Sequence, residues 1–363
     1  MSSINFLHIS DLHVGLNGAS YLWPLIREEF FKDLRQHLRA QGAIDFVIFS
    51  GDLTQSGSSQ EFQLAVKELE RLWNVFRSED CNPQLFIIPG NHDVARPTDP
   101  TANVLTAVGS VRQRPALLPV LMTENEKDIR QELLEAHAGY MDFLDNLSQV
   151  GIPLAIQNHG GIPGDCVGII EKDEFRVGLI GLNSTWSQLE GGDFFEKIDI
   201  YPRQLTDAID GDVADWLGVN HYNFLVTHHP REWFNKDALR DFESNIDGLG
   251  RFDGHFFGHM HKNVNSSMGM GGTARKRRFQ AASLFGLESG KNGSVERVHG
   301  YIFYKIDFIN SKLISWPRQA VELDMGGWRI NALAEALSDS GQGYNSDDFP
   351  VRADFTPLKK KII

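Results

Sequence analysis

The sequence predicts an α/β fold, which some classification schemes would place among α+β folds. Along the first half, short apolar runs rich in β-branched and aromatic residues alternate with longer segments whose apolar residues recur at helical spacing. Clusters of Asp, Asn and His follow directly after five apolar runs. Because strand–helix–strand alternation favours parallel strands, these clusters are expected to be delivered from rigid elements at one edge of a sheet.

Three strands and two helices are predicted before the third polar cluster. The strand signals lie at residues 4–10, 45–51 and 84–90. Residues 25–40 carry apolar side chains at four-residue spacing, which indicates a helix with one apolar face. Ser58 stands three residues before Glu61, a pattern that predicts a capping box at the start of the second helix.

Residues 94–164 interrupt the alternation. The segment begins with a Pro-rich loop, contains one long predicted helix at about 124–147, and ends in a stretch rich in Gly and Pro. We interpret it as an insertion that covers one edge of the site. It would be either an inert structural decoration or a lid that shapes the substrate pocket.

The second half returns to strand signals. They lie at residues 175–183, 223–229, 252–258, 279–284, 301–308 and 312–316. A helix is predicted at 205–217, and the last two strands read as a hairpin. The domain is therefore expected to span residues 1–337. Residues 338–363 are polar and predict a tail or linker, which would dock a protein partner or join a further domain.

Composition restricts the function classes. The net charge is -13 over 363 residues, which argues against broad electrostatic binding of nucleic acid, although a local basic patch would still allow such binding. Cys81 and Cys166 lack a metal-type spacing and are expected to be free thiols in a reducing compartment. No leader-like or membrane-spanning apolar run is present, so we expect a soluble cytoplasmic protein that does not bind a membrane.

The five polar clusters supply metal ligands. They are Asp11-Leu12-His13, Gly51-Asp52, Gly90-Asn91-His92-Asp93, Thr227-His228-His229-Pro230 and Gly258-His259-Met260-His261. Two carboxylates, four imidazoles and one amide suit Mn, Fe, Co, Ni or Zn better than calcium. The candidate ligands are Asp11, His13, Asp52, Asn91, His228, His259 and His261. Seven ligands are too many for one ion, so the sequence predicts two divalent or trivalent ions.

A pair of ions would activate water and clamp phosphoryl oxygens, so that no protein nucleophile is needed. The leaving oxygen still requires a proton. His92, next to the candidate ligand Asn91, is the predicted general acid, and Asp93 is predicted to orient its imidazole or to raise the basicity of that imidazole. His229 is expected to support the site or to lie at the surface, with its neighbour His228 as the ligand.

The order Asp-x-His, Gly-Asp, Gly-Asn-His-Asp, strand-end His and Gly-His-x-His closely resembles the calcineurin-like metallophosphoesterase superfamily, over about residues 4–316. The resemblance implies a four-layer αββα sandwich, with two mixed central sheets flanked by helices. It implies one ion on Asp11, His13, Asp52 and His261, and the other on Asp52, Asn91, His228 and His259. Asp52 would bridge the ions. Asp-Leu-His and His-His-Pro look most similar to the prokaryotic branch that includes cyclic-nucleotide phosphodiesterases.

Basic residues near the clusters are candidate substrate contacts. Arg275, Arg277 and Arg278 follow the last cluster and form either a solvated loop or an electropositive lip for phosphate or nucleic acid. Arg96 follows Gly-Asn-His-Asp closely and would touch a phosphate. Trp186 and Trp233 would pack in the core or stack on a base.

The favoured function is metal-dependent hydrolysis of a phosphodiester, with a nucleotide as the substrate. A metal-dependent nuclease, a phosphomonoesterase and a protein phosphatase are the enzymatic alternatives. A non-catalytic metal-binding interaction module is the alternative of another class. The intact ligand set and the presence of His92 argue against that last alternative.

Overall fold

Two large sheets and their flanking helices form the protein. The computed structural model describes residues 3–16, 23–99, 101–122, 127–260, 264–268, 275–289, 295–337, 343–352 and 355. The helices of this part of the chain are α1 (Trp23–Gln41), α2 (Ser59–Ser78), α3 (Asn103–Ser110), α4 (Leu117–Met122), α5 (Lys127–Gln149), α6 (Pro202–Ala208), α7 (Val213–Gly218) and α8 (Lys236–Asp241). Short 3₁₀ turns occur at Arg231–Trp233 and Ala334–Ala336, and a π-helical turn at Phe242–Ile246.

The strands are numbered in chain order. They are β1 (Ser3–Ile9), β2 (Phe46–Phe49), β3 (Gln84–Ile87), β4 (Ile156–His159), β5 (Cys166–Lys172), β6 (Phe175–Gly181), β7 (Tyr222–Val226), β8 (Gly254–Phe257), β9 (Val264–Met268), β10 (Lys276–Gln280), β11 (Gly286–Ser289), β12 (Val295–Val298), β13 (Gly300–Asp307), β14 (Lys312–Glu322), β15 (Trp328–Ala332) and β16 (Asn345–Asp348).

Both large sheets mix parallel and antiparallel strands. Sheet I has the order β15-β14-β13-β1-β2-β3, with β16 also paired to β14. Sheet II has the order β4-β5-β6-β7-β8-β10-β9. The neighbours β1, β2 and β3 are parallel, as are β6, β7, β8 and β10. Strands β11 and β12 pair separately.

The sheets pack face to face, with helices on the outer faces. Between them lies an aromatic core in which Phe6 stacks on Phe46 at 4.8 Å and on Tyr304 at 4.7 Å between ring centroids. The next residue, Leu7, points to the other face of sheet I, where α1, α2 and α5 pack. Helices α6, α7 and α8 pack on the outer face of sheet II. This helix–sheet–sheet–helix order confirms the predicted four-layer architecture.

Most helix predictions are confirmed, and one is wrong. At the start of α2, Ser58 Oγ accepts from Glu61 N at 3.3 Å, while Ser58 N donates to Glu61 Oε2 at 3.3 Å, so the capping box forms. The helix predicted at 205–217 is instead α6 and α7. The chain breaks between them because Gly211 adopts a φ of +120° and Asp212 caps α7.

The strand predictions hold for the site-bearing strands and for the hairpin of β13 and β14. The strand predicted at 279–284 is displaced, because β10 pairs with β8 only through Gln280. Beyond it the chain crosses to sheet I, where Leu284 N donates to Ser10 O at 2.8 Å. Cys81 and Cys166 are buried free thiols, in agreement with the expectation from the sequence.

The segment at 94–164 has its own small core. Helices α3, α4 and α5 pack together, and Trp186 and Leu189 complete the cluster. Within the segment predicted as a tail, β16 pairs with β14, and the following Phe349 is fully buried against Tyr222. None of the helices in the described ranges is long and apolar enough to cross a lipid bilayer.

Candidate metal centre

The candidate ligands lie where strands of both sheets end. Asp11, Asp52 and Asn91 follow β1, β2 and β3 of sheet I. His228 and His259 follow β7 and β8 of sheet II. Since parallel strands end at the same edge, each sheet delivers its ligands to one edge.

Close contacts join these two edges. The Nδ1 of His228 donates to the carbonyl of Ser50 at 2.8 Å, and the backbone N–H of His259 donates to Asp11 Oδ2 at 3.3 Å. A Cβ at Gly258 would overlap the hydroxyl of Ser10, so only glycine allows sheet II to approach sheet I this closely. The ligands of both sheets therefore share one site.

The backbone at the site is strained. Asp11, His13, Asp52 and His259 have φ angles of 55°, 47°, 57° and 71°, in the left-handed region that non-glycine residues rarely adopt. Backbone hydrogen bonds hold this geometry, from Asp11 N to Gly51 O at 2.9 Å and from His13 N to Asp52 O at 3.1 Å. Each such residue costs on the order of 1–3 kcal/mol, and strain of this kind concentrates at functional sites.

Three potential ligand atoms form a nearly equilateral triangle. Asn91 Oδ1 lies 3.0 Å from both His228 Nε2 and His259 Nδ1, and the two nitrogens are 3.2 Å apart. Adjacent ligands around an octahedral ion with bonds of about 2.1 Å also lie about 3.0 Å apart. The donor atoms and their spacing therefore fit a metal ion.

Asp52 connects this triangle to the rest of the cluster. Its Oδ2 lies 3.2 Å from His228 Nε2 and 3.9 Å from His13 Nε2, which is itself 3.9 Å from Asp11 Oδ1. Asp52 belongs to two groups of potential ligands, one with Asp11 and His228 and one with His13 and His92, each within 4.8 Å. Its carboxylate is the part that the two groups share.

The charges at the site depend on one another. Burial alone would raise the pKa of Asp52, but the imidazoles of His228, His92 and His13 outweigh it and hold that pKa well below its ordinary value. Burial would lower the pKa of His228, yet the Asp52 and Asp11 carboxylates raise it to about 9. The buried carboxylates thus attract positive charge, as a cation site requires.

His229 is buried beside the ligands but has other partners. Its Nδ1 is 3.0 Å from the Ser184 hydroxyl, and its Nε2 is 2.9 Å from Gln188 Oε1. It also falls in a group of potential ligands with His228 and His259. Because both its ring nitrogens are already hydrogen-bonded and the residue is buried, we assign His229 a supporting position, which is one of the two positions that the sequence left open.

The surroundings of His92 correct one prediction. His92 Nδ1 donates to the carbonyl of Gln55 at 2.8 Å, and the ring lies against His13 at 4.9 Å between centroids. Asp93, predicted to orient this ring, instead accepts bonds from Gly90 N, Leu53 N and the N and Oγ1 of Thr54. It ties the loops after β2 and β3 together, and Gln55 is the group that orients His92.

Arg96 shares a cavity with His92. The cavity has a volume of about 280 Å³, and its lining residues are Gln55, Ser56, Asn91, His92, Val94 and Arg96. Arg96 is exposed and makes no ion pair with any described residue. Its guanidinium is therefore available to an anion bound beside the ligands.

The other arginines lie elsewhere. The strand β10 runs parallel to β8, and Arg278 pairs with His255, four residues before His259. Arg277 donates to Asp348 O at 2.7 Å, and Arg278 pairs with Glu232 at 3.2 Å. Arg275 precedes β10 and lies still further from the strand ends. The structure does not bring these three arginines to the ligand cluster.

Sequence reasoning missed two main-chain groups beside the cluster. The carbonyls of Gln55 and Ser50 carry no side-chain signal that would have identified them.

The two tryptophans named from the sequence lie in different places. Trp233 contacts His259 edge-on at 4.0 Å between centroids, whereas Trp186 is fully buried in the core of the insertion. The predicted ligand His261 lies outside the described residues.

Residues 4–263 match the family model for calcineurin-like phosphoesterases. This match covers well over half of the chain, so the protein belongs to the calcineurin-like phosphoesterase family. No curated protein sequence matches the chain.

Several solved structures are similar. The Plasmodium protein GAP50, the anchor in the inner membrane complex, is 11% identical at a TM-score of 0.45, covering 99% of this chain and 90% of its own. Purple acid phosphatase PPD1 from yellow lupin (Lupinus luteus) seeds is 11% identical at a TM-score of 0.44, covering 99% of this chain and 57% of its own. Chaetomium thermophilum Vps29 is 10% identical at a TM-score of 0.34, and the match covers 96% of this chain and 98% of the Vps29 chain. The family assignment rests on the sequence match.

Proposed function

We propose that this protein hydrolyses a phosphodiester, with a nucleotide as the favoured substrate, at a centre of two metal ions. The observation that carries the proposal is the ligand triangle of Asn91, His228 and His259, linked through Asp52 to His13. His92 stands beside it, where an ester bond held by the cluster would be in reach.

The residues divide between two ions as the family resemblance implies. Asp11, His13, Asp52 and His261 would hold one ion, and Asp52, Asn91, His228 and His259 the other. The donor set suits Mn, Fe, Zn, Co or Ni. When bound, such ions lower the pKa of water and neutralise charge on a phosphoryl group.

His92 is the proposed general acid. The Nδ1–H of His92 donates to Gln55 O, so a protonated His92 would carry its second proton on Nε2 and would pass that proton to the leaving oxygen. Arg96, across the shared cavity, would bind a non-bridging phosphoryl oxygen. The position of Arg96 and Val94 at this cavity also favours a substrate-shaping role for the insertion.

The nucleotide preference rests on the sequence motifs. It comes from the similarity of Asp-Leu-His and His-His-Pro to the prokaryotic branch with cyclic-nucleotide phosphodiesterases. The phosphodiester preference comes from the same similarity. The presence of His92 suits an ester with an alkoxide leaving group, because such a group needs a proton.

An activity assay with two leaving groups tests the proposal. With Mn²⁺ added, the wild type should hydrolyse bis-p-nitrophenyl phosphate and the dinucleotide thymidylyl-thymidine. Asp52→Asn should lose at least roughly 100-fold on both, since it weakens the shared ligand. His92→Ala should lose roughly 100-fold or more on the dinucleotide, but less on the p-nitrophenyl ester, whose leaving group needs little protonation.

His159→Ala, on the edge strand β4, is the matched control and should retain wild-type rates. Wild-type protein that is no faster than Asp52→Asn on either ester would rule out the hydrolase. An equal loss on both esters in His92→Ala would remove His92 as the acid.

A further inference from the structure

A line of aromatic rings leads from solvent to the candidate metal ligands. The ring of Phe195 contacts that of Trp233 at 5.7 Å between centroids and an interplanar angle of 86°. Trp233 in turn contacts the His259 imidazole at 4.0 Å and 85°. Met260 adjoins them, with its sulfur 3.2 Å from Trp233 Nε1. We call Phe195, Trp233 and Met260 the aromatic rim.

Core packing does not account for the whole rim. Trp233 is half-buried and packs partly against the outer core of sheet II. Phe195 and Met260, however, are 48% and 42% exposed. The neighbouring Phe194 packs against that same core, whereas Phe195 is not one of the residues of that core. Apolar surface is thus left in water directly beside a polar, ion-binding cluster, which points to a ligand that covers it.

The aromatic rim and the proposed acid His92 contact different candidate ligands of the cluster. His92 lies against His13, and Arg96 shares its cavity. Trp233 lies against His259, and is also 5.8 Å from His229 between centroids. A phosphodiester held between them would direct its leaving oxygen to His92. Its second substituent, which is kept after cleavage, would then lie on the rim.

We infer that the aromatic rim binds a flat ring, such as a nucleobase, on the retained substituent of the phosphodiester. This inference rests on the proposed function and specifies its substrate. Every base presents a π-face, so stacking on Phe195 and Trp233 selects for an aromatic substituent without selecting one base. The rim residues are specificity-determining and take no part in the chemical step.

Two esters with the same leaving group test the inference. Thymidine 5′-(p-nitrophenyl phosphate) and methyl p-nitrophenyl phosphate both release p-nitrophenolate and differ only in the retained substituent. The wild type should prefer the thymidine ester in kcat/KM. Phe195→Leu, which keeps apolar bulk but removes the ring, should lower that preference by roughly 5-fold or more, mainly through a higher KM. Phe195→Tyr should retain it.

Met325→Leu is the control, since Met325 is a fully exposed apolar residue that lies far from the ligands in the sequence. Trp233→Leu should also reduce the quenching of intrinsic fluorescence by thymidine 5′-monophosphate, a readout that needs no turnover. If Phe195→Leu still hydrolyses both esters with the wild-type preference, the inference that the rim binds the retained substituent is wrong. The proposed hydrolase activity is not contradicted by that result. If the wild type hydrolyses neither ester, the proposed function fails and the rim, which rests on it, falls with it.

Discussion

At the scale of single residues, the site depends on close approach between loops. Gly90, which precedes the candidate ligand Asn91, packs against Asp52 so tightly that a Cβ there would overlap the backbone nitrogen and Oδ1 of Asp52. Asp52 is held with a φ of 57° and is shared between the ligand groups. A small displacement of this one residue would therefore affect both groups of potential ligands.

Gly90→Ala should lower activity on bis-p-nitrophenyl phosphate by roughly 100-fold, because a shift of about 1 Å in a positioned group costs about that much. Mn²⁺ content after dialysis should fall with it. Gly109→Ala is the control, since a Cβ at Gly109 meets nothing within 4 Å. Wild-type metal content and rate in Gly90→Ala would show that the contact with Asp52 does not position the ligand.

Residue types at strand ends were enough to find the cluster, but not the groups that orient it. Asp11, His13, Asp52, Asn91, His228 and His259 carry their chemistry in the side chain. The ring of His92 is set by the main-chain carbonyl of Gln55, which any residue could supply. Asp93 was assigned to that position because it is next in sequence, yet its carboxylate turns to the backbone N–H groups of two loops.

At the scale of elements, a buried polar network joins the insertion to sheet II. Asp165, just before β5, accepts from Asn183 N at 2.7 Å and from Gln204 Nε2 of α6 at 3.0 Å. Asn183 also bonds His137 of α5 at 3.0 Å. All four side chains are fully buried. Burial raises the pKa of the Asp165 carboxyl to about 8, although the two hydrogen bonds oppose the rise.

This network makes stability depend on pH. The folded Asp165 keeps its proton up to about pH 8, whereas the unfolded carboxyl loses it near pH 4. Unfolding therefore releases a proton between these values, and stability falls as pH rises through that window. Asp165→Asn is neutral at every pH and accepts the same donors through Oδ1. The unfolding free energy of Asp165→Asn minus that of the wild type should therefore increase from pH 5 to pH 9.

Chemical denaturation at pH 5, 7 and 9 measures that difference. Asp145→Asn, an exposed site on α5, is the control and should follow the wild type. The account is contradicted if Asp165→Asn shows the same pH dependence as the wild type.

Periodicity predicted long elements well and short ones poorly. The helices α1, α2 and α5 exceed four turns, and their apolar stripes were visible in the sequence. The error at 205–217 arose because the apolar spacing of two short helices was read across Gly211. Strand β4 was missed because its residues alternate between partly buried and exposed positions in a polar four-residue segment.

At the scale of the whole molecule, the site forms only when both sheets pack. Sheet I contributes the carboxylates and Asn91, and sheet II contributes His228 and His259. The order of the motifs predicted the family and its four layers. The sequence offered Trp233 as a residue that could stack on a base, but it did not place Phe195 and Met260 beside Trp233, because the three residues come from separate segments that only the packed structure brings together.

The central claim is that the adjoining edges of sheet I and sheet II hold two ions, with Asp52 between them. Anomalous diffraction at the manganese edge, from crystals grown with Mn²⁺, tests it most directly. We predict two peaks roughly 3.5–4 Å apart, both within bonding distance of Asp52 and one beside the triangle of Asn91, His228 and His259. A single peak, or two peaks that do not share Asp52, would contradict the account.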